Sequence, residues 1–381
     1  DSDLAWQYHY MLNEYRLHEK LCGFVFTEFH DVINEFNGYY RIDSEEKDFG
    51  YQDFCRGMTL RDLHAANFVA VDCAPMQNAA AQERVTVPLY LSSFSSALHG
   101  KHCTLRWELW HDGLDGRVTD AGGSMKLPTF GYGVTALPAL TVRMPAENAA
   151  AVLSLYLLDE QGEVVSRNFT TFDVHAALPA GFVQIPVSSG KTEGFEAVWQ
   201  SMGGEKLSMG GEGQVTYIVH VPRGQAMRSM TLFFEAGAKR VLQKDRHIVG
   251  KAEVDNAFMR GYCVDRGSFD NSYWMTDETR FPSTVEVLVD DQVIDTLYLR
   301  NDWCDARGML SWHAQPNDRL LDEAGSYGEA QRIKIPANLL PGIVQEGRFA
   351  LTFRVKGSGG LALYGRESGR YGYGMTLKVE K

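Results

Sequence analysis

Hydrophobic positions recur at helical spacing only near the start of the chain. Leu4, Tyr8, Met11, Leu12 and Tyr15 fall on one side of a 3.6-residue repeat, with polar residues between them. Residues 4–20 are therefore predicted to form an amphipathic helix. The next run, LCGFVFTEF (21–29), is continuously apolar and aromatic, the pattern of a short buried strand. One helix leading into one buried strand is an α/β unit, and the pattern does not recur downstream.

From about residue 60 the period changes to two. The runs 84–95, 103–110, 134–145 and 151–174 alternate apolar with polar or small residues, and HDGLDG (111–116) and DEQG (159–162) supply turns. Strands at this spacing over about 100 residues predict an immunoglobulin-like sandwich. A small, proline-containing stretch (175–182) marks a boundary. Beyond it, 214–222, 229–238, 284–300, 331–336, 347–357 and 374–381 read as strands, VDDQ (289–292) as a hairpin turn and the glycine-rich 201–214 as a loop. Long strands separated by large loops predict a jelly roll. The expected class is mainly β, with a barrel-like α/β remnant at 1–58, an immunoglobulin-like β-sandwich at 59–178 and a galactose-binding-like jelly-roll β-sandwich at 179–381.

Composition narrows the function. The 381 residues carry a net charge of −12 and no basic cluster, which argues against nucleic acid and against an anionic membrane surface. No run approaches the roughly 20 apolar residues of a membrane span. The first residues show no signal peptide, so the expected location is the cytoplasm. Six widely spaced cysteines show no zinc spacing and read as reduced thiols. Asn168-Phe169-Thr170 reads as a chance sequon. No phosphate cradle, nucleophile elbow or metal-binding histidine pair occurs. No cofactor is expected; a structural calcium held by scattered carbonyls is conceivable in a jelly roll, with no motif to support it.

The most informative segment is GFVFTEFHDVINEFNGYYRIDSEEKDFGYQDF (23–54). Gly23, Thr27, Glu28, Asp31, Glu35, Asn37, Gly38 and Asp43 follow the order and spacing of the last barrel strand and its loop in glycoside hydrolase family 2, which this segment resembles. Downstream, Val87-Pro88-Leu89-Tyr90-Leu91-Ser92-Ser93-Phe94-Ser95 resembles a strand of that family's immunoglobulin-like domain, and CTLRWELW (103–110) stands where that domain has its tryptophan-bearing strand. The two matches cover about residues 1–175. The second half matches only the general galactose-binding-like jelly roll.

Such enzymes use two carboxyl groups, one a proton donor and one a nucleophile about 5 Å away in retaining members. The resemblance implies that both stand on earlier barrel strands, upstream of residue 1, so that this chain alone is inactive. It also implies an upstream catalytic barrel as partner. Glu28, His30, Asp31 and Asn37 are candidates for substrate contact, against the plainer reading that Asp31, Glu35 and Asn37 hold a loop. In the last domain, Asp302 and Trp303 (with Trp312, Asp305 and Arg307 nearby), Tyr327, and Arg366, Arg370, Tyr371 and Tyr373 are candidate carbohydrate contacts. Flat rings stack on sugar C–H faces, and guanidinium and carboxylate groups fork hydrogen bonds to hydroxyl pairs. Aromatics beside strands are, however, commonly core. The expected function is the non-catalytic C-terminal region of a glycoside hydrolase. The alternatives are a stand-alone lectin-like protein and a structural module that forms a homodimer.

Overall fold

A computed structural model describes residues 4–32, 37–41, 43–47, 49–224, 226–240, 281–301, 309–313 and 327–381. The chain divides into two compact units, Ser2–Ala177 and Leu178–Lys381. Each is built on packed, mainly antiparallel sheets, and the mainly-β class expected from the period-two patterning is the one observed.

The first unit opens with helix α1 (Leu4–Leu17), followed by the short helix α2 (Leu60–Leu63). Its strands are β1 (Asn67–Val71), β2 (Met76–Ala80), β3 (Arg84–Val87), β4 (Leu89–Ser93) and β5 (Thr104–Gly113). Then come β6 (Gly116–Lys126), β7 (Gly133–Ala136), β8 (Leu140–Arg143), β9 (Ala149–Leu158) and β10 (Val164–His175). One sheet runs β1-β4-β7, a second runs β2-β10-β9-β5-β6, and β3 pairs with β8. Pro88, which has no N–H for a ladder, separates β3 from β4. Val69, Leu89, Leu91, Leu105, Leu153 and Phe172 form the core between the sheets.

β9 is buried along nearly its whole length because its second face is also covered. Ser154 on that face donates to the Phe54 carbonyl (2.6 Å) and accepts from the Trp110 indole N–H (2.9 Å). Helix α1 lays Trp6 and His9 against Phe169 of β10, with the His9 and Phe169 rings stacked at 4.0 Å. The edge of β1 is closed by side chains rather than by a strand. Asn13 of α1 donates to the Val71 carbonyl (2.8 Å) and accepts its N–H (2.9 Å), and Asn168 donates to the Val69 carbonyl (2.9 Å). A free sheet edge invites unwanted pairing, and two amides seal this one. Asn168 is 1% exposed, so the sequon lies in the interior.

Two expectations fail here. Residues 21–29 are not a strand, and Val25 and Phe29 are 94% and 58% exposed. A strand needs partners for its N–H and carbonyl groups; among the described residues this segment offers only isolated bridges, from His30 to Tyr40 and from Tyr40 to Glu46. The N-terminal remnant is thus a helix and an extended segment rather than an α/β unit. The glycine-rich stretch 201–214, expected as a loop, contains a fully buried strand, because Leu207 and Met209 alternate between small residues and enter the core.

The second unit contains β11 (Phe182–Gln184), β12 (Lys191–Glu193), β13 (Ala197–Ser201), β14 (Lys206–Gly210), β15 (Gly213–His220) and β16 (Ser229–Gly237). It continues with β17 (Ser283–Val289), β18 (Gln292–Leu299), β19 (Glu329–Lys334), β20 (Arg348–Lys356), β21 (Leu361–Tyr364) and β22 (Thr376–Glu380). Seven strands, β11-β22-β16-β21-β14-β13 with β19 added to β16, face the five of β12-β15-β20-β17-β18. Met209, Tyr217, Phe234, Val287, Phe353 and Leu363 fill the space between. The hairpin turn at Asp290 and Asp291 has φ of 45° and 66°, the paired left-handed residues that match strand twist.

One ion triad lies inside the first unit. His111 of β5, 2% exposed, donates from Nδ1 to Asp120 of β6 (2.7 Å) and from Nε2 to Glu147 (2.9 Å). Burial opposes a charge on the ring, but hydrogen bonds to the two carboxylates and their charges prevail and raise its pKa to about 9.

Candidate functional site

The segment that carries the family resemblance closes on itself. Asp31 is 2% exposed, and its Oδ1 accepts from the Gly38 N–H (3.0 Å) and from Lys47 Nζ (2.7 Å). The Tyr39 and Tyr40 N–H groups both donate to the Phe29 carbonyl, and Asp31 N–H donates to the Tyr40 carbonyl (2.9 Å). Asn37 donates to the Thr27 carbonyl (3.1 Å), and the Tyr8 hydroxyl of α1 donates to the Asn37 carbonyl. Glycine is required at 38: a Cβ there would sit 2.5 Å from the backbone of both His30 and Asp31. Thr27, Asp31, Asn37 and Gly38 are therefore parts of one loop. Glu28 and His30 are half-buried beside it, with the His30 ring against Phe29 (5.0 Å) and Tyr40 (5.5 Å).

Two clefts of about 290 and 280 Å³ adjoin this loop and share Glu46 and Leu60. The first is lined by Phe29, Tyr39, Tyr40, Arg61 and His64; the second includes Lys47, Tyr51, Gln52 and Thr59. Helix α2 positions the shared wall. Thr59 caps it in a box with Asp62, whose other oxygen accepts from Arg167 of β10 (3.2 Å) and ties the helix to the sheet. Tyr39 is stacked on Phe26 (3.9 Å) and shares a hydrogen bond with His64 Nε2 (3.1 Å). Desolvation and then the Arg16 charge hold the His64 pKa below its ordinary value, which favours the neutral ring. The cleft residues from Phe29 to Gln52 fall within the 23–54 segment, whereas Met58, Thr59, Leu60, Arg61 and His64 lie beyond it and carry no sequence signal.

In the second unit a buried carboxylate organises the candidate loop. Glu235 of β16, 1% exposed, accepts the N–H groups of Gly328 (2.6 Å), Arg370 (3.0 Å) and Tyr371 (3.1 Å). Burial raises its pKa to about 7, against the lowering pull of those N–H groups. Glu205 holds the same loop from its other end, accepting from the Glu367 N–H (3.0 Å) through its carboxylate and from Gly365 and Ser368 through its carbonyl. Tyr327 and Tyr373 are 6% and 9% exposed, so their rings pack inside. Arg366, Arg370 and Tyr371 are half-buried, and Tyr371 stacks on Tyr373 at 5.7 Å. The structure thus gathers Tyr327, Arg370 and Tyr371 around Glu235, a residue the sequence reading passed over. Its only signal was a lone carboxylate inside an apolar strand. Asp302 and Trp303, with Asp305 and Arg307, lie outside the described residues.

Among the described residues no helix is long and apolar enough to cross a membrane. No family model matches the chain, and no curated protein matches its sequence. Among solved structures, the exo-chitosanase CsxA of Amycolatopsis orientalis is similar over 94% of this chain and 34% of its own, at 8% identity and a TM-score of 0.32. An α-L-rhamnosidase from Dictyoglumus thermophilum is similar over 82% and 27%, at 9% identity and a TM-score of 0.18. An alkylpurine DNA glycosylase from Pseudomonas fluorescens is similar over 28% and 30%, at 16% identity and a TM-score of 0.20. The chain spans about a third of the length of the exo-chitosanase. Likenesses at these scores leave function to be argued from this chain's own residues.

Proposed function

We propose that this chain is the non-catalytic, C-terminal region of a glycoside hydrolase of the family 2 type. The observation that carries the reading is the closure of the 27–47 loop about Asp31 and Gly38. Four of the eight residues that follow the family's spacing are bonded in pairs here, Gly38 with Asp31 and Asn37 with Thr27. In this reading the loop adjoins the catalytic barrel of the parent chain, Glu28 and His30 stand near its substrate, and the two acid–base glutamates belong to that barrel. Sugar contact in the second unit falls to Arg366, Arg370 and Tyr371 of the anchored loop, and to Asp302 and Trp303.

The test is hydrolysis of aryl glycosides by the 381 residues alone and by the same chain joined to the polypeptide encoded before it. Turnover by the longer chain only is the expected result. Absence of turnover from the longer chain, across gluco-, galacto-, manno-, glucosaminyl and glucurono-configured substrates, would sink the reading.

A stand-alone carbohydrate-binding protein is the second reading. The aromatic cleft beside α2 favours it, since such a cleft needs no catalytic domain to hold a sugar ring.

A further inference from the structure

The two clefts beside α2 are lined in part by residues of the closed loop, but the space they enclose plays no part in that closure. The geometry points to a single binding groove for a neutral oligosaccharide of at least two sugar units, one in each cleft, bridging Glu46. This rests on the carbohydrate reading of the chain and adds a site to it.

Shape comes first. The clefts share Glu46 and Leu60, so they adjoin across these two side chains, and a chain of two rings passing over Glu46 reaches both. Each, at 280–290 Å³, lies at the lower end of the ~300–1,000 Å³ range of small-molecule sites, which suits one ring apiece.

Chemistry follows. Phe29 and Tyr40 stand 4.7 Å apart at an interplanar angle of 40°, and Phe29 is 58% exposed. An aromatic ring kept in water at the mouth of a cleft is poorly placed for stability and well placed to stack on a C–H face. The floor is fixed in advance, because Tyr39 is stacked on Phe26 and hydrogen-bonded to His64. At the rim, the side chains of Arg61 and Glu46 make no hydrogen bond or ion pair among the described residues. A guanidinium forks to two vicinal hydroxyls and a carboxylate accepts from them. The second cleft adds Gln52 and Thr59, both exposed polar groups.

Charge selects among ligands. Arg61 and Glu46 balance, and Lys47 is already paired with Asp31, so the trough offers a phosphate or carboxylate no net attraction. A neutral, polyhydroxylated ligand with apolar C–H faces fits both the rings and the paired charges.

The test is calorimetric titration of the whole chain with cellobiose, lactose and N,N′-diacetylchitobiose, each beside its methyl monosaccharide. Phe29→Ala and Arg61→Ala replace exposed side chains, so thermal melts should match the wild type and certify the fold. Tyr298→Ala, at an exposed side chain of β18, serves as the control, and Tyr371→Ala reports on the anchored loop of the second unit. The expected result is that at least one disaccharide binds at least tenfold tighter than its monosaccharide. Both cleft variants should weaken it at least tenfold, and Tyr298→Ala should leave it unchanged. Binding lost only in Tyr371→Ala overturns the groove while keeping the carbohydrate reading. Binding retained in both cleft variants, equal affinity for one and two rings, or no binding at all overturns it as well. The aryl-glycoside assay of the longer chain decides the glycosidase reading independently of these outcomes.

Discussion

His111 shows what a single residue can contribute when both ring nitrogens meet carboxylates. Its pKa is raised from the ordinary 6.5 to about 9, so the folded state holds the proton more tightly than the unfolded chain does. The stabilisation is fully present below pH 6.5 and is lost as pH rises through 9. Because Glu147 is half-exposed, the triad is worth ~2 kcal/mol rather than the full value of the shift. Melting temperatures taken from pH 6 to 10 should therefore fall more steeply for the wild type than for His111→Gln. Parallel curves would show that the triad holds no proton of its own. At this scale Asp31 and Gly38 were legible, because they sit in a spaced pattern with neighbours whose types also matter. His111, Asn13 and Glu235 were not. Each meets its partners on another strand, helix or loop, 9 to 155 positions apart, and no local spacing encodes that.

Strands with clean alternation were legible as elements, and those interrupted by glycine were not. β6 contains Gly122 and Gly123 and is absent from the strands that alternation predicts, yet it pairs along β5, with one register shift between Leu109 and Trp110. The indole of Trp107 lies where a side chain at 123 would begin, with 3.0 Å between the ring and such a Cβ. β14 was hidden in the same way. The run 21–29 failed in the opposite direction: its composition is that of a strand, but pairing requires a neighbour that local pattern cannot supply. The loop 365–371 depends on one element beneath it. Glu235→Ala should strip three buried N–H groups of their acceptor, at roughly 1–3 kcal/mol for each group left unsatisfied. Hydrogen exchange at Gly328, Arg370 and Tyr371 should rise by at least tenfold while β17 and β20 keep their protection. Unchanged exchange at all three amides would show that the loop stands without its carboxylate.

Among the described residues there are two cores that share no residue, one centred on Leu91, Leu153 and Phe172 and the other on Tyr217, Phe234 and Phe353. Residues 2–177 and 178–381, produced separately, should each unfold in one cooperative transition. A piece that binds a hydrophobic dye and lacks a sharp melt would show that its core is incomplete. The division between Ala177 and Leu178 falls in a stretch of small residues that was visible in the sequence, because neither core has an apolar residue to spend there. The number of strands and their order were not visible, since the sheets pair residues as far apart as Phe182 and Lys378.

The interior position of Asn168 reaches beyond the folded protein. Its amide donates both to the Val69 carbonyl and to Asn13, and the residue is 1% exposed. In a host that attaches glycans to Asn-X-Thr while the chain is still emerging, this asparagine would be met before β1 and α1 close over it. A glycan added then could not be accommodated later, and the molecule would be trapped short of its sandwich. The choice of production host is thus constrained by a side chain that no surface reagent would ever reach.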